Sequence, residues 1–289
     1  MIPQNFEYAT PASMKEALAM LSGGDAKILA GGMSLIPMMK LRLAAPRHLV
    51  DINRVPGLAG LQETGGALRI GALVRECDLE ASDLVRSRYP ILHDASRVIA
   101  DPLVRNLATV GGNLAHADPA NDHPATMLAL RASVVARGPN GERVIPIDEF
   151  FVDTFTTVLG TDEILTEIRI PKPAPRSGGA YLKLERKVGD FAIAGVAVML
   201  ALDEKGKVGA VGVGVTNAGP TAIRAGKAEA TLRGQSPDDK TIAAAATAAA
   251  GESRPWSDLR GPAEYKLDVI RVLTQRAIRK AVARATGGK

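Results

Sequence analysis

"KILAGGMSLIPMMK", residues 27–40, and "ATVGGNLAHADPAND", residues 108–122, decide how this chain is read. Each sets a glycine pair after an extended apolar step and follows it with a hydrogen-bonding side chain, Ser34 in one and Asn113 in the other. Glycine accepts positive φ and lets another group approach the main chain with no Cβ in the way. Successive amide N–H groups at such a turn can converge on an anion, helped by a following helix N-terminus. Two such loops suit the two phosphates of a dinucleotide. Two ordinary strand-end turns have the same spacing, and the pattern by itself leaves both readings open.

The totals narrow the class. At 289 residues the chain has room for one large domain or two to three smaller ones. Hydrophobic residues make up 46% and charged ones 23%, an ordinary globular balance with a net charge of only +5. Aromatics at 3% are too sparse for the basic, aromatic-studded surface of a single-strand nucleic-acid binder. Cys77 stands alone, so this chain by itself forms neither an internal disulfide nor a four-cysteine iron–sulfur or zinc site. His48, His93, His116 and His123 are scattered, with no i, i+4 pair. The opening "MIPQNFEYATPAS" lacks the basic segment and apolar core of a secretory signal. The apolar run from Phe191 to Leu202 is shorter than the ~20 residues of a membrane span. A cytoplasmic protein with no nucleic-acid partner is the expectation.

Periodicity supplies the elements. Met14, Ala17, Leu18 and Leu21 share a helical face, with Ser13 as N-cap and Gly23-Gly24 as the stop. "AKILAGG" reads as a strand entering a turn, and "SLIPMMKLRL" as a short helix capped by Ser34. "HLVDINRV" and "ALRIGALV" read as strands, and "SDLVRSRYPILHDASRVIA" as helical around Pro90. "HPATMLALRASVVARG" passes from helix to strand, while "GERVIPIDEFF" and "EILTEIRIP" are extended. The proline- and glycine-rich "IPKPAPRSGG" at 170–179 excludes regular helix or central strand and marks the clearest boundary. Beyond it come two long strand-like runs, the helix former "KTIAAAATAAAGE", and an amphipathic helix with Val269, Ile270, Leu273, Ala277 and Ala281 on one face. This mixture argues for α/β or α+β architecture rather than a bundle.

Standard motifs are missing. "GVGVTNAG" has Asn217 where a G-x-G-x-x-G fingerprint needs its third glycine, and there is neither a P-loop nor a G-x-S-x-G elbow.

The two glycine segments together nevertheless resemble the flavin loops of the FAD-binding medium subunit of the molybdenum hydroxylases. That family includes carbon monoxide dehydrogenase, xanthine dehydrogenase and nicotine or quinoline-type dehydrogenases, and the carbon monoxide dehydrogenase branch is the nearest match. The resemblance runs through "FEYATPAS", "HLVDINRVPGL", "IGALV", "DEILTEIRIP", "YLKLERKVGDFAIAGVAV" and "RGPAEY". It implies an α+β fold. A PCMH-type FAD-binding domain over 1–176, in subdomains of about 1–56 and 57–176, would precede a C-terminal α+β domain over 177–289 with a small antiparallel sheet and helices. It further implies an oxidoreductase subunit that relays electrons from [2Fe–2S] clusters through FAD to an external acceptor: quinone, NAD or oxygen. Its partners would be a large molybdopterin-binding subunit and a small iron–sulfur subunit, in a dimer of heterotrimers. The complex would be cytoplasmic or held at the inner face of the membrane. A stand-alone FAD-dependent oxidase and a non-enzymatic nucleotide-binding assembly protein are the alternatives.

The resemblance also implies a cofactor site and no catalytic or metal-ligating residue. Lys27, Leu29, Ala30, Gly31, Gly32, Met33, Ser34 and Leu35 would wrap the FAD diphosphate and ribose, chiefly through main-chain amides. Thr109, Gly111, Gly112 and Asn113 would close the second side, with His116 and Ala117 lining the cofactor. Asp122 would accept from a ribitol or flavin-side group, and Ile164 and Leu165 would lie on a ring surface. Lys183 would stand close to the flavin, and Phe191 would shield one face of it. Met33 departs from the family, which often has glutamine or histidine there.

Overall fold

Three sheets, each with its own cluster of buried apolar side chains, organise the computed structural model, which describes residues 1–288. In the first, His48–Asp51 lies parallel between Glu7–Ala9 and Ala26–Leu29. Parallel strands need crossovers, and the helices Met14–Leu21 and Leu35–Lys40 fill them. The Ser13 hydroxyl caps the first helix by accepting from the Glu16 N–H, and Ala17 and Leu21 of the apolar stripe are buried.

The second sheet is antiparallel. Its order is Leu61–Thr64, Ala67–Gly71, Ile164–Pro171, Ser133–Gly138, Gly141–Pro146, so a strand distant in sequence pairs at its centre. Leu68, Ile70, Val134, Ala136, Ile168 and Ile170 alternate along these strands into one core, as the two-residue period requires. The third sheet is an antiparallel array of Ser177–Leu184, Ala194–Leu202, Val208–Thr216 and Ile223–Arg224. One side packs on the long helix Ala263–Ala285, whose Val269, Ile270, Leu273, Ala277 and Ala281 are all buried. Helix Asp122–Ala129, from the preceding unit, packs on strands Ala194–Leu202 and Val208–Thr216. This arrangement of sheets and helices is the α+β architecture expected.

Several local expectations change. The stretch 170–179 is only partly as expected: Ile170 and Pro171 end Ile164–Pro171, the central strand of the second sheet, while Gly178 and Gly179 lie in Ser177–Leu184, an edge strand of the third, paired with Leu200 and Met199. The glycine at 178 is needed because a Cβ would enter the Ala281 carbonyl and lie 2.5 Å from the Ala285 nitrogen. Pro90 begins a second helix, Pro90–Ser96, and the first ends at Arg88, since proline suits the opening turn and not a helix interior. Strand Gly141–Pro146 gives way to a 3-10 turn at Ile147–Glu149 instead of remaining extended. Ser34 precedes helix Leu35–Lys40 but makes no side-chain cap bond, because its own backbone is already in the right-handed helical region. Gly111 and Gly112 lie inside helix Val110–His116, whose N-cap is Thr109.

Glycine also sets how closely the second and third units meet. Positions 212 and 214 face the carbonyls of Ala129 and Ala125, and a Cβ on Gly214 would stand 3.0 Å from the Ala125 Cα even before its clash with the oxygen. Gly214→Val must push the helix off the sheet, a cost of about 1–3 kcal/mol. The urea midpoint should fall with the denaturant slope unchanged.

Candidate functional site

The two glycine segments meet directly. A Cβ on Gly31 would enter the Leu107 carbonyl oxygen and lie 2.8 Å from the Ala108 Cα, so main chain rests on main chain at this crossing. Gly112 is the second point of approach, its would-be Cβ 3.9 Å from the Ala30 Cβ. Gly32 has φ +74°, a conformation that favours glycine, and turns the chain toward the helix beginning at Leu35.

The loops differ in what they have left to offer. In the first, the half-buried main-chain N–H groups of Gly31, Gly32, Met33, Ser34 and Leu35 find no acceptor among the described residues. Five consecutive unclaimed amides are a supply of donors for an anion, because a buried N–H without a partner is costly. In the second loop the amides are spent. Gly111 donates to the Ala72 carbonyl at 3.1 Å, Gly112 to Thr109 Oγ1 at 3.1 Å, and Asn113 to the Thr109 carbonyl at 2.9 Å. Its capacity for a ligand lies in side chains: the Thr109 hydroxyl keeps its proton to donate, and Asn113 Oδ1 is buried without a partner. Gly111 is a glycine for packing, since a Cβ would stand 2.6 Å from that of Ala72.

Three consecutive residues at the end of this segment face inward. Asn121 Nδ2 donates to the Asn113 carbonyl at 3.0 Å, and the Asn121 carbonyl accepts from Thr216 Oγ1 at 3.2 Å. Asp122 accepts from the Tyr181 hydroxyl at 2.5 Å and from Lys183 Nζ at 3.1 Å. Its two oxygens are thus engaged by the third sheet, at a buried site where an unpaired carboxylate would be costly. Burial pushes the Asp122 carboxyl above its ordinary value against the opposing pull of Lys183 and Tyr181. Lys183 is itself buried, donating to the Val98 carbonyl at 2.7 Å with Glu185 at 3.2 Å. His123 and Glu76 form a fully buried pair at 2.8 Å. Burial pulls the imidazole's pKa down, but Glu76, aided by Asp122, outweighs it and holds it above the ordinary value.

The remaining expected residues are spread around this frame. His116 stacks obliquely on Phe155, ring centroids 5.0 Å apart, and burial lowers its pKa, favouring the neutral ring. Ala117 ends the helix in the left-handed region, and its carbonyl accepts from the Phe155 N–H at 3.0 Å. Ile164 is buried in the core of the first sheet and Leu165 in that of the second, so the pair joins two units. Lys27 is exposed on strand Ala26–Leu29, and Leu29 reaches the Gly32 turn. Phe191 is 43% exposed on a separate loop, with the Arg260 guanidinium 5.5 Å from its ring centroid.

Sequence reasoning missed Arg75, Asn53, Glu76 and Tyr181. Asn53 and Tyr181 lie in stretches that carry the family resemblance and Arg75 and Glu76 just beyond one, but each is a single polar residue, and only the fold brings it to the loops or beneath them. Among the described residues no helix is long and apolar enough to cross a membrane.

Comparison with known proteins gives a consistent result. The family described as the FAD binding domain in molybdopterin dehydrogenase matches residues 4–173, and the CO dehydrogenase flavoprotein C-terminal domain matches residues 179–281. The carbon monoxide dehydrogenase medium chain of Hydrogenophaga pseudoflava is 46% identical over 286 residues, covering 98% of this chain and 99% of that one. A solved structure of carbon monoxide dehydrogenase from the same organism superposes with a TM-score of 0.96 at 48% identity, over 98% of this chain and 99% of the other. Quinoline 2-oxidoreductase from Pseudomonas putida 86 gives 0.93 at 32% identity, over 99% of both chains.

The Phe191 loop carries a pH prediction. Hydrogen bonds from Arg260 hold the Asp190 carboxyl well below the usual carboxylate range; Arg186 and the Phe191 N–H add to this against burial. A depressed carboxyl stabilises the fold above its unfolded pKa of about 3.9, and that contribution disappears as pH falls through the folded value. Arg260→Met should therefore cost stability in full at neutral pH, and the gap from wild type should close progressively below about pH 3.9 in melts at stepped pH.

Proposed function

Since the chain belongs to the FAD-binding family of the molybdopterin dehydrogenases, we propose that it is the flavin-carrying medium subunit of a carbon monoxide dehydrogenase-type complex. In this reading a large molybdopterin-binding subunit and a small iron–sulfur subunit join it, as a dimer of heterotrimers. They carry the metal groups that a chain with one cysteine cannot ligate. Bound FAD supplies a two-electron store between the iron–sulfur centres and an external acceptor such as quinone, NAD or oxygen.

The observation that carries the proposal is the run of unclaimed amides from Gly31 to Leu35, crossed by a second loop at a contact too close for any side chain. Those amides fit a diphosphate: they bind it through main-chain donors, so Met33 serves as well as another side chain. On the other loop, the Thr109 hydroxyl and the Asn113 amide provide side-chain groups for the ribityl and ribose hydroxyls. Asp122 acts from within, fixing the Tyr181 hydroxyl and Lys183 ammonium in place. Neutral His116 and Ala117 border the cleft without adding charge. The division into 1–56, 57–176 and 177–289 belongs to the same proposal; it is supported by the three apolar clusters, each drawn mainly from one of these segments, with Leu58, Leu73 and Ile164 joining the first and Tyr181, Ala197 and Ala222 the second.

The test is co-expression with the partner subunits, followed by identification of the flavin released from the purified assembly. The expected outcome is FAD bound non-covalently in the wild-type complex. Gly112→Val should lose most of it, because the new side chain enters the Thr109 cap, 2.6 Å from its oxygen, and crowds Ala30 opposite. A colourless wild-type assembly, or full flavin content in the variant, contradicts the proposal.

A further inference from the structure

The two cofactor loops come from different sheets, and something must set the gap between them. On one side, residues 74–76 run alongside residues 108–110. The Glu76 N–H donates to the Ala108 carbonyl and the Val110 N–H to the Val74 carbonyl, both at 3.0 Å, and Arg75 bridges to Thr109. This fixes the second loop to the unit of the second sheet. The Arg75 side chain then reaches outward to both loops. Nη1 donates to the Leu107 carbonyl, the oxygen against which Gly31 rests. Nη2 donates to Asn53 Oδ1 at 2.6 Å, and Asn53 Nδ2 donates to the Ala30 carbonyl at 2.9 Å. Asn53 is in turn held by Asp51, which accepts from its main-chain N–H at 2.9 Å and its side-chain amide at 2.6 Å.

We propose that Arg75 and Asn53 are positioning residues that act as one bracket, spanning the glycine loops and fixing the width of the FAD diphosphate cleft. The inference rests on the flavin-binding reading above. Its chemical basis is the guanidinium fork. A planar group with donors on two nitrogens satisfies two acceptors in a fixed relative geometry, and a lysine ammonium on its flexible stem does not enforce that geometry. Asn53 is suited to the second joint because its amide both accepts and donates, passing the constraint from a guanidinium to a carbonyl. Every acceptor used is a main-chain carbonyl or the Asn53 amide, so the bracket acts on backbone position and leaves the Gly31–Leu35 amides unengaged.

The test uses the full-length chain, freed of flavin and titrated with FAD by fluorescence quenching, with the melting temperature of each flavin-free protein recorded alongside. Arg75→Met and Asn53→Ala should each weaken FAD binding about tenfold, the worth of one well-placed hydrogen bond, while the flavin-free melting temperature stays at the wild-type value. The double variant should bind no more weakly than the worse single one, because either change already opens the bracket. Arg75→Lys should remain clearly weaker than wild type, and the visible circular dichroism of its bound flavin should differ. Binding within twofold of wild type in both single variants overturns the proposal. So do effects that multiply in the double variant, or losses that simply follow a lower flavin-free melting temperature. If Arg75→Met does not fold, Asn53→Ala and Arg75→Lys carry the same comparison. Failure of the wild-type chain to take up FAD, alone or with its partners, would instead refute the underlying flavin reading.

Discussion

Main chain rests on main chain where Gly31 meets Leu107 and Ala108, and the cleft proposed for the cofactor depends on that contact. A single Cβ would force the loops apart, so the glycine there is dictated by a neighbour remote in sequence rather than by its own dihedral angles. The same economy recurs at Gly111 against Ala72, at Gly178 against the long C-terminal helix, and at Gly212 and Gly214 beneath helix Asp122–Ala129. Close backbone approach joins the three units, and side chains fill the space between those points. A protein that holds an extended dinucleotide needs little bulk beside it but needs the backbone exactly spaced, and glycine meets both demands.

Beneath the cleft, the three residues from Asn121 to His123 bind in three directions: to the helix of the second loop, to the third sheet, and to Glu76. Burying such charges is expensive, and a buried ion pair commonly adds little net stability against an apolar replacement. What the cluster contributes is a defined geometry, because each group has a partner it cannot lose without leaving a buried charge alone. Lys183 shows the same logic: two carboxylates and a carbonyl surround an ammonium almost wholly withdrawn from water. The second glycine segment is thereby tied to the third sheet.

Much of this was legible in local pattern. Helix Met14–Leu21 with its Ser13 cap, the alternating strands of the second sheet and the buried stripe of helix Ala263–Ala285 all follow from periodicity and capping chemistry. The local readings that failed share a cause. Ile170-Pro171 and Gly111-Gly112 carry the composition of irregular chain, yet one pair ends a central strand and the other lies in a helix, because packing partners overrode local preference. Asp122, which the resemblance sets against a ribitol or flavin-side group, also has partners that only the fold reveals, Tyr181 on one oxygen and Lys183 on the other. Arg75 and Asn53 had no local signature, since an ordinary arginine and asparagine acquire meaning from what lies within 3 Å of them.

The sequence by itself determined the class of fold, the order of its units and, through two glycine segments matched to a known family, the kind of cofactor that this chain carries. Those properties are written in short-range patterns that any folded context must respect. Tertiary structure alone decided which loop still has amides to give, which residues face inward, and what holds the two loops at their spacing. These depend on distances between segments remote in the chain, and such distances exist only once the backbone has closed upon itself.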